Sequence, residues 1–397
     1  MKRISNLLLI MILAMAVNIS YAQDKKKGYL NGHYPKEAPG QDYVTQHQYV
    51  VDQIKDIADP HAEIHNVILM IGDGMGTSQV FAGMTANNDQ LYIQYAKSIG
   101  FQKTKCKNKF TTDSAAAGSA LANGTKTMYL SIGVDANDKP IKSILEIAAE
   151  HGKATGLVAA CKITHATPAA FIAHVHNRNQ YDDIAKFFIT DKLDVFIGGG
   201  MDNFNKREDE INLLPALKEK GFQIVTSGDE LKKIHSGKIA GLYTGGHIAK
   251  YPARGEFLPE STDKALEILS QNKNGFFMMV EGSQIDWGGH DNDLGYVIEE
   301  TLDFDRTVGE VLKFAEKDGH TLVIITADHE TGGLSIFDSK PAKGEVHGRF
   351  SSGSHSSVMV PVFAYGPGAD AFKGIYEDTA VFDKMLAAFG FDSKKKK

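Results

Sequence analysis

The sequence predicts an α/β fold: a mostly parallel central sheet with helices on both faces, an α/β/α sandwich, with a small cap insertion. Three observations predict it. Apolar runs of strand length alternate with segments of helical pattern along the chain. The runs are continuous, as at residues 67–71, which suits strands buried on both faces. Several end in glycine beside Asp, Glu or His, at the sheet edge where open α/β folds place ligands.

The first 22 residues read as a secretory signal. Lys2 and Arg3 precede an apolar stretch at 7–17, and Ser20-Tyr21-Ala22 fits a small-x-small cleavage site. An exported protein, periplasmic or secreted, is therefore expected. The stretch is short for a membrane span, and no other segment is long and apolar enough to cross a bilayer. Residues 23–60 are polar and read as an N-terminal surface arm. The main domain is expected over 61–392, with a solvated basic tail at 393–397. The 397 residues carry a net charge of −6, with 23% charged residues of mixed sign, so no basic field exists to hold nucleic acid.

The first core strand, 67–71, ends in Gly72-Asp73-Gly74-Met75-Gly76. Glycines let the backbone turn sharply and keep bulk away from Asp73. The stretch reads as a tight βα turn, a metal-binding Asp or a nucleotide loop. Its spacing is not that of the dinucleotide fingerprint, and an Asp inside the turn would repel a pyrophosphate. A helix follows at 77–86 and a strand at 98–103. Thr112 and Asp113 then precede an Ala-rich run and signal the start of a helix at 114–122. Ser114 falls in its first turn, where free N–H groups and the helix dipole suit an anion or an alkoxide. A capped helix accounts for this run without chemistry; a nucleophilic Ser114 with no adjacent base would need a metal.

A helix at 143–151 and a strand at 155–161 lead to His165-Ala166-Thr167-Pro168. Pro168 suits a first helical position, with Thr167 as N-cap of a helix over 168–175. Arg178 lies beyond it, either as a clamp on two phosphate oxygens or as a surface salt bridge. A helix at 181–188 and a strand at 194–197 follow. Residues 200–257 are rich in Gly, Asn, Lys and Pro, and read as the cap over the sheet edge, with a polar helix near 209–220 and a strand-like run at 222–226. A helix at 261–271 and a strand at 275–280 deliver Glu281, Asp286, Trp287 and His290. Asp286 and His290, four apart, share one face of a helical turn and make a workable metal site. A helix at 296–317 and a strand at 321–326 deliver Asp328 and His329. Residues 335–354 lack periodicity and read as a long loop that covers or builds a site. His355 stands ahead of the last strand, 358–364. Oxygen and nitrogen ligands without thiolates favour Zn²⁺, with Mg²⁺ at an oxygen-rich position. Cys106 and Cys161 lack zinc-thiolate spacing, and two cysteines carry no pairing information.

Taken together, these motifs resemble the alkaline phosphatases, the two-zinc phosphomonoesterases. The likeness covers roughly residues 62–391, with Ile71-Gly72-Asp73-Gly74-Met75-Gly76, Thr112-Asp113-Ser114-Ala115-Ala116, His165-Ala166-Thr167-Pro168 with Arg178, the Glu281 to His290 stretch, Thr326-Ala327-Asp328-His329 and His355 in the same order. The resemblance implies that Asp286, His290 and His355 hold a first zinc. Asp73, Asp328 and His329 would hold a second, and Asp73, Thr167 and Glu281 a magnesium, with Asp73 bridging. Ser114 would be the nucleophile of a phosphoserine intermediate, and Arg178 would bind the phosphate. His165 and Trp287 stand where some members carry Asp and Lys, bordering the magnesium site and the phosphate pocket. The implied substrates are phosphate monoesters, with no specific nucleic-acid or membrane partner; members are commonly dimers, which leaves a homodimer open. Rival readings are a phosphodiesterase or sulfatase on the same fold, and a non-catalytic metal- or phosphate-binding scaffold. Ser114 lacks the sulfatase Cys/Ser-x-Pro-x-Arg context, and Thr167, Glu281, Arg178 and Ser114 together favour the monoesterase.

Overall fold

The structure is a computed structural model that describes residues 39–391. The expected secretory signal, the first part of the arm and the basic tail lie outside the described residues. The chain divides after Pro39, and the larger unit begins at Gly40.

Its centre is a ten-stranded sheet. The strands are β1 Asn66–Gly72, β2 Ser98–Lys103, β3 Ala154–Lys162, β4 Val195–Gly199, β5 Phe222–Val225, β6 Lys238–Leu242, β7 Phe276–Gly282, β8 Thr321–Thr326, β9 Val360–Tyr365 and β10 Gly374–Glu377. They lie side by side in the order β10-β2-β9-β8-β1-β7-β3-β4-β6-β5. Only β9 runs against its neighbours in this sheet; every other pairing is parallel.

Continuous apolar strands arise because alternate side chains enter two different cores. Ile68, Met70, Val158 and Ala160 face one core. Val67, Leu69, Ile71, Leu157 and Ala159 face the other. Each fully buried Val, Ile or Leu contributes roughly 1.5–3 kcal/mol. Helix α1, Thr77–Ala86, and the long helix Leu294–Asp318 pack on the first core. Helices Ser114–Asn123 and Thr379–Ala388 pack on the second.

The structure departs from the sequence reading in four places. Residues 200–257 are not only a cap: β5 and β6 extend the sheet itself, with Ile239, Ala240 and Leu242 fully buried. Their polar surroundings reflect a sheet end instead of a separate layer. The helix expected at 168–175 is shortened to Ala166–Ala169, with His165 and not Thr167 at its N-cap. The Phe171 carbonyl, which a continuing helix would offer to Val175, accepts from the Ser143 hydroxyl, and Val175 pairs with Ile132. The 335–354 loop folds as part of a small antiparallel sheet, Glu345–Arg349 lying between Gln41–Val44 and Ser335–Ile336. The edge strand β10 was not foreseen, since Gly374-Ile375-Tyr376-Glu377 carries little apolar pattern.

Beyond Gln41–Val44, the segment after Gly40 is pinned to the long helix by polar contacts. Tyr43 and Thr45 donate to Glu299 at 2.7 and 2.6 Å, and Tyr49 donates to Asp305 at 2.6 Å.

Candidate active site

Strands β8, β1, β7 and β3 are consecutive parallel neighbours, so their C-terminal ends open on one edge of the sheet. Asp328, Asp73, Glu281 and His165 leave from those ends. Because β9 runs the other way, its start lies at the same edge and brings His355 there, anchored by pairing with Thr331. Parallel topology thus converges residues that lie far apart in sequence.

Asp73 is fully buried, and neither carboxylate oxygen has a hydrogen-bond partner. The turn that presents it needs glycine. Gly74 adopts φ +76°, and a Cβ there would stand 2.6 Å from the Asp286 Cα. The Gly74 N–H donates to Asp328 Oδ1 at 3.2 Å, tying two strand ends together. Asp328 Oδ2, Glu281 Oε1 and Thr167 Oγ1 are also buried without partners. Burial, together with the nearby carboxylates, raises Asp73 well above the usual carboxylate range. Burial likewise lifts Glu281 to about 7 and Asp328 to about 6.

The three histidines are each held by one nitrogen. His290 Nδ1 lies 2.9 Å from the Gly353 carbonyl and His355 Nδ1 lies 2.9 Å from the Thr112 carbonyl, so each Nδ1 must carry the proton. Thr331 donates its hydroxyl to Asp286 Oδ1 and is left to accept from His329 Nδ1 at 3.2 Å. With each Nδ1 so engaged, every Nε2 faces inward, where its unprotonated form can ligate a metal. His290 Nε2 and His355 Nε2 stand 3.1 Å apart, each 3.4 Å from Asp286 Oδ1. Two ring nitrogens and a carboxylate this close fit a cation between them. His329 Nε2 is 3.3 Å from Asp328 Oδ2 and 3.5 Å from Asp73 Oδ1. Ligand atoms of Asp286, His290 and His355 form one tight group, and those of Asp73, Asp286 and His329 another. Buried unpaired oxygens, inward ring nitrogens and facing imidazoles fit divalent cations.

Ser114 opens the buried helix Ser114–Asn123. Asp113 is its N-cap and accepts from the Ala115 and Ala116 N–H groups. Ser114 Oγ lies 3.3 Å from His329 Nε2. Arg178 is placed by a loop and not by a helix; its N–H bonds to the Leu130 carbonyl. Its guanidinium donates to Asp113 Oδ2 at 3.0 Å and lies 3.1 Å from His165 Nε2. Arg178, His290 and His355 line a cleft of about 550 Å³ beside Thr112 and Asp113. Trp287 stands edge-on to His165 and to His247, with ring centres 6.2 and 4.8 Å apart.

Comparison with known proteins agrees with this geometry. The family model described as alkaline phosphatase matches residues 64–348. The chain belongs to the alkaline phosphatase family. It is 37% identical to alkaline phosphatase 4 of Bacillus subtilis, over 80% of this chain and 87% of that one. It is 31% identical to the alkaline phosphatase of Escherichia coli, over 82% and 86% respectively. The solved alkaline phosphatase of the Antarctic bacterium TAB5 is similar in structure, with a TM-score of 0.80 and 41% identity, covering 84% of this chain and 100% of that one. Variants of the TAB5 enzyme have been solved with Mg bound in the M3 site. This alkaline phosphatase is accordingly a metal-dependent phosphatase.

Of the expected metal sets, Asp286, His290 and His355 come together as one group, whereas Asp73 and His329 group with Asp286, and Glu281 groups with Cys161 and His165. Three neighbours escaped the sequence reading. Asp113 was seen only as a helix cap, His247 sits in a polar loop without a motif, and Cys161 looked like one more core residue of a strand. Asp113 alone carried a usable signal, its position directly before the candidate nucleophile.

Proposed function

We propose that this chain is an exported alkaline phosphatase that hydrolyses phosphate monoesters through a phosphoserine at Ser114. The observation that carries the reading is Ser114 at the start of a buried helix, beside His329 and next to an Arg178 already oriented by Asp113.

Asp286, His290 and His355 would hold one zinc, and Asp73, Asp328 and His329 a second. Asp73, Thr167 and Glu281 would hold a magnesium. When bound, such cations supply Lewis acidity to the attacking and leaving oxygens and offset charge on the phosphoryl group. Arg178 donates to two non-bridging phosphate oxygens and orients phosphorus toward Ser114 Oγ. Ser114 Oγ attacks in line and the alcohol departs; water then attacks the phosphoserine, freeing inorganic phosphate and restoring the hydroxyl. The positive end of the helix dipole behind Ser114 favours negative charge there. Trp287 places no cation against the phosphate, so inorganic phosphate should leave readily.

The test compares an aryl phosphate with its methyl diester. The monoester should turn over far faster, and Ser114→Ala should lower that rate by roughly 10³-fold or more. A diester preference, or full activity in Ser114→Ala, would overturn the reading.

A further inference from the structure

Cys161 lies near the end of β3, on the same side as Leu157 and Ala159. It is completely buried and unbridged, and its thiol donates to Glu281 Oε2 at 3.4 Å. The Cys161 Sγ, one ring nitrogen of His165 and a carboxylate oxygen of Glu281 all lie within 4.8 Å of one another. Glu281 Oε1 and His165 Nδ1 of this group are buried without a partner, and because His165 Nε2 accepts from the Arg178 guanidinium, Nδ1 carries the ring proton. Donor atoms around a tetrahedral zinc, bonded at about 2.0–2.3 Å, stand roughly 3.5 Å apart. The sulfur and carboxylate are already at that spacing. Among the described residues, Cys106 belongs to no such group; its thiol faces Asn108 and the Lys109 carbonyl.

We propose that the third metal pocket of this chain admits a zinc-class divalent cation on Cys161, His165 and Glu281, in competition with magnesium on Asp73, Thr167 and Glu281. It shares Glu281 with the magnesium set proposed above, and rests on that reading only in placing a metal at this carboxylate. As the ion binds, the proton now between Sγ and the carboxylate leaves to solvent and sulfur takes up a coordination position; the His165 proton passes from Nδ1 to Nε2, which frees Nδ1 to ligate while Arg178 keeps its bond to Asp113. A thiolate and an imidazole favour zinc, cobalt and similar ions, whereas magnesium demands oxygen ligands in octahedral array. The sulfur donor therefore biases the pocket away from magnesium.

Cobalt(II) gives the readout, because only a thiolate ligand produces an intense near-ultraviolet sulfur-to-cobalt charge-transfer band. Metal-depleted full-length protein titrated with cobalt should develop this band. Cys106→Ser should keep it, and Cys161→Ser should lose it together with one equivalent of bound metal. Absence of the band in the wild type at cobalt saturation, or its persistence in Cys161→Ser, would overturn the proposal. Should Cys161→Ser fail to fold, Cys106→Ser decides, since Cys161 is then the only thiol: a band supports the site and its absence refutes it. Aryl phosphate hydrolysis after zinc and magnesium are restored separates the two readings. Hydrolysis without the cobalt band leaves a phosphatase lacking a thiolate site, and the band without hydrolysis leaves a metal site lacking the enzyme.

Discussion

With both oxygens buried and unpaired near His329 and Asp286, Asp73 is positioned to serve two cations, whereas Glu281 lies beside Cys161 and His165. Asp73→Asn should therefore weaken zinc and the third metal together, while Glu281→Gln weakens the third metal alone. Metal content after dialysis distinguishes them; unchanged zinc in Asp73→Asn would count against the bridging role. Trp287→Lys adds a cation beside the phosphate cleft. Inhibition by inorganic phosphate should tighten about tenfold, the worth of one charge-assisted hydrogen bond. An unchanged inhibition constant would show that position 287 does not reach the phosphate. His165 Nε2 faces Arg178, and burial, then Arg178, hold the His165 pKa well below the usual imidazole value.

At the scale of elements, Asp113 ties two functions to one turn, capping the helix of Ser114 and steering Arg178. Asp113→Ala should cost roughly 0.5–2 kcal/mol of stability as a lost cap. It should also raise KM for monoesters, because Arg178 loses its anchor; a change in melting temperature without any change in KM would limit Asp113 to capping. The strands β1, β3, β7 and β8 were legible because burial on both faces leaves continuous apolar runs, and Asp73, Glu281 and Asp328 because they terminate those runs. What escaped was set by partners distant in sequence. Lys238–Leu242 is a short strand with a lysine and a glycine, and its identity comes from lying beside β4, where Gly241 packs against Ile197. Glu345–Arg349 depends on a partner strand near residue 40. The helix after Pro168 ended early because Ser143 and Ile132 captured its backbone groups. His247 reached Trp287 through tertiary packing alone.

For the whole molecule, stability and metal content are coupled. Asp73, Glu281, Asp286 and Asp328 are buried together, so removing bound cations should lower the melting temperature by several degrees, with zinc and magnesium restoring it. A chelator that leaves the transition unmoved would argue against cations in this cage. A second ion cluster, made of Glu146, His174 and Lys192, sets a pH window. Burial alone would raise the Glu146 pKa, but His174 at 3.2 Å, Lys192 at 2.6 Å and the Ser143 N–H outweigh it and bring it down to about 2. A carboxylate depressed on folding contributes stability above its unfolded pKa and loses it as pH falls through the folded value. Burial would lower His174, yet Glu146 and the Gly133 carbonyl raise it. Its contribution is therefore complete below its ordinary value and fades as pH rises through the raised one. Glu146→Gln should flatten both limbs in melting curves recorded across pH, and an unchanged profile would place the dependence elsewhere. The candidate ligands themselves run from Asp73 to His355, and the last stands just ahead of β9, the one strand opposed to its neighbours. A ribosome must release nearly the entire polypeptide before the cage can close. Half-made chains hold no finished trap for cytoplasmic zinc, so metal loading waits on completed folding and belongs to whichever compartment the finished chain reaches.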